Sequence, residues 1–309
     1  MKESVMKTAS PPATRKLGPA GLTTGTWVPR LPFFHELPDS PPDESASLSE
    51  DRRSSYVRSQ NFIVGYTSMS AGESLSELDL PDEHIVLVPE AMEIAVQVPG
   101  QGAVPAVGPA LVIVPEGTSQ VVATSAGALW RVFTTRAVDV VARACNNAVY
   151  AEPDPAVAPL PDHPPVPGPG TVRVYRADDI PVDPARFGRI FRTDSLMFNW
   201  FHLEHVERDT DKLSPHVHDD FEQASVTFQG DYIHHLRSPW TPRLREWRDD
   251  NHLQVSSPSI TIIPPGNVHT SRSVGEGLHQ MVDVFAPPRT DFIERGWVLN
   301  ASDYPGSGT

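Results

Sequence analysis

The chain has 309 residues, enough for two domains of ordinary size or one large domain, and its formal net charge at pH 7 is −14. This acidic balance argues against nonspecific binding to nucleic acids or anionic membranes, because both require basic surfaces. The single cysteine excludes an intramolecular disulfide, and the sequence shows no signal peptide and no apolar run of transmembrane length. The sequence predicts a cytoplasmic protein with a small-molecule substrate.

Residues 1–55 are rich in proline, serine and charged residues, and they predict a largely disordered N-terminal arm. Within this arm, residues 26–37 (TWVPRLPFFHEL) are apolar enough to dock on a folded surface. We expect this segment to pack on its own domain, with docking across a partner subunit as the alternative.

Residues 56–150 contain short β-branched runs, such as HIVLV, EIAVQV and ALVIV, separated by turns rich in glycine and proline. This punctuation is typical of an antiparallel all-β unit. A proline-rich segment at 151–171 predicts a semi-rigid linker, and 172–309 form a second domain. His163 is expected to be an ordinary linker residue.

A possible metal site lies in the second domain, between residues 214 and 269. His216 and His218 flank one residue, so on a strand both side chains point to the same side. Glu222 opens the next predicted strand, and His269 follows a Pro-x-Gly turn. Three imidazoles and one carboxylate suit a divalent transition metal and leave coordination positions open.

These two blocks resemble the two motifs of the cupin superfamily, H-x-H-x3-E followed by a glycine, and P-x-G-x2-H. The one departure is Gly230, which lies one residue later than the usual motif places it. The resemblance implies a jelly-roll barrel whose metal ligands are His216, His218, Glu222 and His269.

The first domain carries a degenerate copy of the second motif. Residues 108–120 align without a gap on 257–269, so that Gln120 falls on His269. A second offset places Leu78 and Leu80 on the two histidines of the first motif. The sequence therefore predicts an all-β bicupin of two tandem barrels, with metal ligands in the C-terminal barrel only.

Other residues of the second domain are candidates for catalysis and substrate binding. We expect Glu222 to act also as a base, and His234 with Tyr232 to be acid-base groups on the adjacent strand, with His235 and Arg237 as the alternative pair facing the cavity. A polar insert at 238–254 and the inner strands supply the predicted substrate-binding residues, which are Trp240, Arg243, Arg248, Gln280 and His202.

The reaction is left open among three hypotheses. The first is an Fe(II)-dependent oxygenase or dioxygenase acting on a small polar, oxygen-chelating metabolite. The second is a non-redox isomerase, lyase or decarboxylase acting on a sugar or oxo acid, with Mn, Ni, Zn or Co as possible metals. The third is a small-molecule-binding protein without catalysis. The arginines of the insert indicate an anionic or polar substrate, and a homodimer is expected.

Overall fold

The computed structural model describes residues 28–37, 49–90, 92–162 and 167–305. Most of the predicted arm, and His163 in the linker, lie outside these residues. The described part contains nineteen strands and three short α-helices: α1 (Glu50–Arg53), α2 (Val138–Val141) and α3 (Thr290–Glu294). The longest of these helices has five residues, whereas a membrane-spanning helix needs about 20, so none of them could cross a bilayer.

The N-terminal barrel consists of two antiparallel sheets. A six-stranded sheet has the order β11-β8-β5-β10-β3-β2, and a four-stranded sheet has the order β4-β9-β6-β7. The strands are β2 (Ser54–Arg58), β3 (Phe62–Met69), β4 (Leu78–Leu80), β5 (His84–Val88), β6 (Glu93–Val98), β7 (Gly102–Val107), β8 (Ala110–Val114), β9 (Gly117–Ala123), β10 (Gly127–Thr134) and β11 (Arg173–Arg176).

The C-terminal barrel repeats this plan. Its six-stranded sheet has the order β1-β17-β14-β19-β13-β12, and a three-stranded sheet has the order β16-β15-β18. The strands are β1 (Phe33–Glu36), β12 (Gly188–Arg192), β13 (Met197–Phe201), β14 (Gln223–Gln229), β15 (Asp231–Arg237), β16 (Asn251–Ser256), β17 (Ser259–Ile263), β18 (Val268–Val274) and β19 (Gln280–Phe285). The predicted all-β class with two tandem barrels is confirmed.

Each barrel receives one edge strand from outside its own stretch of sequence. β1, which lies in the predicted arm, pairs with β17 of the C-terminal barrel, with Phe33 opposite Ile262. β11, which follows the proline-rich linker, pairs with β8 of the N-terminal barrel. The described part of the apolar segment thus docks by strand addition on a barrel of its own chain, and the exchange of β1 and β11 ties the two barrels together.

The two six-stranded sheets pack face to face and form one apolar core between the barrels. Trp130 of β10 stacks on Phe228 of β14 across this interface, with ring centroids 5.6 Å apart. Because side chains alternate along a strand, each of these sheets turns its other face toward the interior of its own barrel. The main contributors to the core are Phe62, Val64, Ile85, Leu111, Ile113, Trp130, Phe191, Phe198, Trp200, Ala224, Val226, Ile260, Ile262, Val282 and Val284.

The two barrel interiors differ in chemistry. The N-terminal interior is mainly apolar and is packed with Met69, Val86, Val88, Ile94, Val96, Val112, Val114, Val121 and Leu129. Its buried polar side chains include His84 and Arg131, and Arg131 donates to the Tyr56 hydroxyl. The inner wall of the C-terminal barrel carries buried polar side chains instead, namely Gln223, Ser225, Thr227, His234, Ser259, Thr261, His269, Ser273 and Asp283. A polar interior costs folding free energy unless its groups are bonded, so it indicates a functional requirement in the C-terminal barrel.

A buried carboxylate between the barrels makes stability depend on pH. The Asp194 backbone N–H donates to Glu83 Oε2 at 2.9 Å, and the Tyr304 hydroxyl donates to the same oxygen at 2.6 Å. Burial, and then the charge of Glu83, raise the pKa of Asp194 from 3.8 to about 7. The folded protein therefore binds the Asp194 proton more tightly than the unfolded chain does. The free energy of unfolding falls as the pH rises from the unfolded pKa of 3.8 to the folded pKa of about 7.

We expect Asp194→Asn to flatten this pH dependence, since each pKa unit is worth about 1.4 kcal/mol. Urea unfolding at pH 5 and pH 8 measures the effect, and the wild type should lose more stability between the two values than the variant loses. Asp178→Asn is the matched control, because that side chain is 69% exposed. Equal losses in the wild type and the Asp194 variant would refute the assignment.

Candidate metal centre

Three histidines converge in the C-terminal barrel. His216, His218 and His269 each place one ring nitrogen within 4.8 Å of the others. The backbones of His216 and His269 form an antiparallel bridge, with N–H···O distances of 3.0 and 2.8 Å. This bridge sets the H-x-H segment beside β18, so the structure brings together the three histidines that the sequence indicated.

Backbone carbonyls determine which ring nitrogen points into the cluster. His216 Nδ1 lies 2.9 Å from the Ser214 carbonyl oxygen, and His269 Nδ1 lies 3.0 Å from the Asn267 carbonyl oxygen. A carbonyl only accepts, so Nδ1 carries the hydrogen in both rings and Nε2 keeps its lone pair. Two such lone pairs in one buried cluster are the donor chemistry that a divalent transition metal requires.

The environment keeps the imidazoles uncharged. Burial lowers the pKa of His269 to about 3, with a further contribution from His216. Burial also lowers the pKa of His218 well below its usual range and that of His216 in the same direction. All three rings are neutral near pH 7, which is the form that binds a metal.

The structure corrects the position of Glu222. Its carboxylate accepts hydrogen bonds from the Tyr150 hydroxyl at 3.0 Å and from the Gln60 backbone N–H at 2.5 Å, and it does not join the histidine cluster. Glu222 shares the strand face of Ala224 and Val226, which pack in the core between the barrels. Glu222 therefore points away from the barrel interior, and the structure does not bring it to the three histidines with which the resemblance grouped it. Burial raises the pKa of Glu222 to about 7.

The residue that faces the histidines is Gln223, which the sequence analysis missed. Its Oε1 lies 3.1 Å from His218 Nε2 and 3.4 Å from His269 Nε2. The signal was the position of Gly230, one residue later than the motif expects. If Gly230 is the glycine of the motif, then the position of the motif glutamate, counted back from this glycine, is residue 223 and not residue 222.

Strand β15 settles which histidine faces inward. His234 and Tyr232 are buried on the inner face, whereas His235 lies outside and contacts His252 at 2.9 Å between the Nδ1 atoms. His234 Nδ1 lies 2.6 Å from Ser271 Oγ, and its buried Nε2 has no partner among the described residues. Tyr232 belongs to an apolar cluster further along the barrel.

The predicted substrate-binding residues of the insert contact one another and the arm. Trp240 stacks on Trp247 with ring centroids 4.7 Å apart. Arg243 Nε forms an ion pair with Glu246 Oε1 at 2.8 Å, and Arg248 Nη1 donates to the Pro29 carbonyl at 2.5 Å. A substrate role for these side chains stays a prediction.

His202 and Gln280 lie away from the metal centre. Gln280 is opposite Gln229 at the far end of β14 from Gln223, a distance of about 20 Å at the rise of a β-strand. The Gln280 side chain donates to the Phe201 carbonyl at 3.1 Å, and His202 follows directly. A substrate role for these two residues stays a prediction, and the strands place them at the opposite end of the barrel from the histidines.

Two residues beside the cluster carried no role in the sequence analysis. The Phe221 ring lies 4.3 Å from the His218 ring. The Arg289 guanidinium lies 5.4 Å from the centre of the Phe221 ring, and its charge contributes, after burial, to the lowered pKa of His216 and His218. Both oxygens of Asp291 accept from Arg289, at 3.0 and 2.9 Å. Arg289 is thus held close enough to His216 and His218 for its charge to lower their pKa.

Comparison with known proteins supports the architecture. No protein-family model matches the chain, and no curated protein matches it by sequence. Among solved structures, the oxalate decarboxylase of Lactobacillus farciminis in complex with formate aligns with a TM-score of 0.50 and 12% identity, over 80% of this chain and 88% of that one. A variant of Bacillus subtilis oxalate decarboxylase gives 0.48 and 9%, over 74% and 70%. A cupin 2 barrel protein from Leptotrichia buccalis gives 0.42 and 8%, over 85% and 99%.

Proposed function

We propose that this chain, which has the bicupin fold of the cupin superfamily, is a metal-dependent enzyme that catalyses a non-redox lyase reaction, such as decarboxylation, of a small oxo acid or dicarboxylate. One observation carries the proposal. Three neutral imidazoles, two of them buried, converge within 4.8 Å in a barrel whose inner wall is polar, and the Arg289 side chain nearby is only 9% exposed. The N-terminal barrel fills its interior with apolar side chains instead.

His216, His218 and His269 are the residues that would hold the metal. A divalent cation bound there would act as a Lewis acid that polarises the oxygen atoms of a bound oxo acid. Structural zinc sites are usually closed tetrahedra, whereas a six-coordinate cation at these histidines would keep positions free for a substrate, which favours catalysis over a structural role.

Arg289 and Phe221 would prepare the site for the substrate. The guanidinium of Arg289 is paired with Asp291 on one side and lies between the rings of Phe221, Phe285 and Phe292, at 5.4, 5.6 and 3.9 Å. This packing would hold a carboxylate-binding group in a fixed position. The Phe221 ring covers His218 and would keep water from the reacting atoms.

In a decarboxylation, the bond between the carboxylate carbon and its neighbour breaks, CO₂ leaves, and the neighbouring carbon keeps the electron pair and takes up a proton. His234 is the group we propose for proton movement, at Nε2. Ser271 Oγ orients its other ring nitrogen at 2.6 Å, and Nε2 is buried without a partner among the described residues. The sequence analysis also predicted an acid-base role for His234, on the strand face that it shares with Tyr232.

The non-redox reaction is favoured over the Fe(II) oxygenase that the sequence analysis placed first. The oxalate decarboxylase of Lactobacillus farciminis has this fold and is named for a decarboxylation, so that reaction class is the first to test. The oxygenase, the preference for iron, the homodimer and the cytoplasmic location stay predictions. Mn, Fe, Co, Ni and Zn all accept imidazole donors.

The test loads the protein with each of these metals under anaerobic conditions. Oxalate, other small oxo acids and sugars are then added, and CO₂ release, product formation and O₂ uptake are measured. We expect turnover that depends on the metal and takes up no O₂. Turnover with stoichiometric O₂ uptake would establish the oxygenase instead, and binding of the panel without turnover would favour the non-catalytic binder.

Arg289→Ala should raise the KM for an anionic substrate about 10- to 100-fold and leave metal content unchanged, since loss of a charge-assisted hydrogen bond costs about 1.5–3 kcal/mol. Arg295→Ala is the matched control, because this exposed arginine packs on Trp297 nearby. Steady-state kinetics give the KM of each variant, and metal analysis gives its metal content. An unchanged KM in the Arg289 variant would remove this residue from the site.

A further inference from the structure

We propose that the carboxamide oxygen of Gln223 is the fourth protein donor to the cation at the three histidines, and that the resulting neutral donor set selects an anionic, chelating substrate. The inference rests on the proposed function and adds to it the fourth ligand and the charge class of the substrate. It contradicts the sequence motif, which led to a carboxylate at Glu222.

The first support is the position of the oxygen. Gln223 Oε1 lies 3.1 Å from His218 Nε2 and 3.4 Å from His269 Nε2. The His269 Nε2 atom carries a lone pair, because Nδ1 donates to the Asn267 carbonyl. Two acceptors that face each other without a proton repel, and a cation between them turns the repulsion into coordination. Neighbouring donors on one cation, with bonds of about 2.1 Å, lie about 3 Å apart.

The second support is a hydrogen-bond chain that determines which end of the amide faces the cluster. Gln223 Nε2 donates to Ser225 Oγ at 3.0 Å, and Ser225 Oγ donates to Asp283 Oδ1 at 2.8 Å. All three side chains are buried on the inner wall of the barrel. Because the amide nitrogen is engaged by Ser225, the oxygen is directed toward the imidazoles. Ser225 and Asp283 are positioning residues in this arrangement.

The third support is that the carboxylate of Glu222 is bonded away from the histidines. Both of its oxygens accept hydrogen bonds from residues of the N-terminal part of the chain, Tyr150 and Gln60. The neighbouring carboxylate is thus bonded elsewhere, and it lies on the opposite face of the strand. No Asp or Glu side chain among the described residues joins the three histidines.

The charge of the site follows from this donor set. Three imidazoles and one carboxamide are neutral, so the site with a divalent cation would have a net charge of +2. With a glutamate as the fourth ligand, the net charge would be +1. Arg289 adds a further positive charge beside His216 and His218. In a buried, low-dielectric site this charge strongly favours an anionic ligand. A substrate with two adjacent anionic oxygens, as in a dicarboxylate or an oxo acid, satisfies both the charge and the free coordination positions.

The first experiment titrates Mn(II) into the full chain and measures free Mn(II) by electron paramagnetic resonance. Gln223→Ala should weaken Mn(II) binding about 10- to 100-fold, Gln223→Glu should retain it, and Glu222→Gln, the matched control, should leave it unchanged. If Gln223→Ala bound Mn(II) as tightly as wild type does, the role of Gln223 as a ligand would be refuted, and the proposed function would stand. A wild type that takes up none of the five metals would overturn the proposed function as well.

The second experiment measures oxalate binding to the Mn(II)-loaded proteins by calorimetry, with oxalate as a dianionic probe. Gln223→Glu should bind oxalate at least about ten-fold more weakly than wild type, because the added carboxylate repels the probe. Oxalate affinity that is unchanged by Gln223→Glu would overturn the assigned charge class. Circular dichroism shows whether each variant is folded, and Gln223→Glu preserves the shape of the side chain.

The positioning chain is tested by spectroscopy with Co(II). Asp283→Asn can offer an N–H to Ser225, which would reverse the chain and turn the amide of Gln223 around. The ligand-field absorption of bound Co(II) should then shift toward that of Gln223→Ala and stay as in wild type for Glu222→Gln. A purely structural role of Asp283 would leave this spectrum unchanged, and that result would remove Ser225 and Asp283 from the proposal.

Discussion

His269→Ala is expected to abolish stoichiometric metal binding and, with it, activity. His269 is buried at 3% exposure, and its backbone forms the bridge to His216, so its ring is central to the cluster. Loss of one of the three imidazoles leaves only two, too few for tight binding. Metal analysis should find about one metal per chain in wild type and less than about one tenth of that in the variant.

The same substitution should lower thermal stability when metal is present. A ligand at about 1,000 times its Kd stabilises the folded state by about 4 kcal/mol, and the variant loses that contribution. His216→Ala should behave in the same way. Thermal unfolding with and without added metal measures the effect, which should disappear in the presence of a chelator.

His235→Ala is the control for both measurements. It lies one residue from His234 on the outer face of β15, where its ring contacts His252 instead of the cluster. This variant should keep its metal and its metal-dependent stability. One bound metal per chain in His269→Ala would show that the histidines are not the ligands.

Phe198→Ala is expected to destabilise the protein by about 3–5 kcal/mol, the usual cost of removing a buried aromatic ring. Phe198 is fully buried in the core between the two barrels. The cavity cannot be closed by a loop movement, because rigid six-stranded sheets line it on both sides. Urea unfolding gives the difference in the free energy of unfolding.

Phe187→Ala is the matched control, because Phe187 is 62% exposed and lies outside this core. It should change stability by less than about 0.5 kcal/mol. If Phe198→Ala were as stable as this control, the packing of the two sheets would not contribute to the stability of the fold. Metal content should be the same in both variants, since neither residue touches the histidines.

The order of apolar runs and turns was sufficient to predict antiparallel all-β structure, because strand periodicity and turn residues are local properties of the sequence, and the resemblance to the cupin motifs added the barrels. The alignment of 108–120 on 257–269 predicted which strands of the two barrels correspond to each other. In the structure β8 and β17 occupy the same place in their six-stranded sheets, each paired with the strand that follows the first motif, β5 or β14. The histidine cluster could be predicted as well, since residue type and spacing identify it.

The strand exchange could not be predicted in this way. β1 comes from a segment that reads as an arm, and β11 follows the linker, yet each completes the barrel of the other half. Phe33 pairs with Ile262 and Arg173 with Ile113, and such pairing depends on the free edges that the folded sheets present, which no local pattern encodes.

The fourth position of the metal site was also decided by tertiary structure. Glu222 and Gln223 are neighbours in sequence, and a shift of one residue on a strand moves a side chain to the opposite face. The pairing of β14 with β17 and β19 turns Ala224 and Val226 toward the other barrel and Gln223 toward the histidines. The sequence by itself determined the barrels and the three imidazoles. Only the register of the folded sheet decided that an amide, and not a carboxylate, stands beside them.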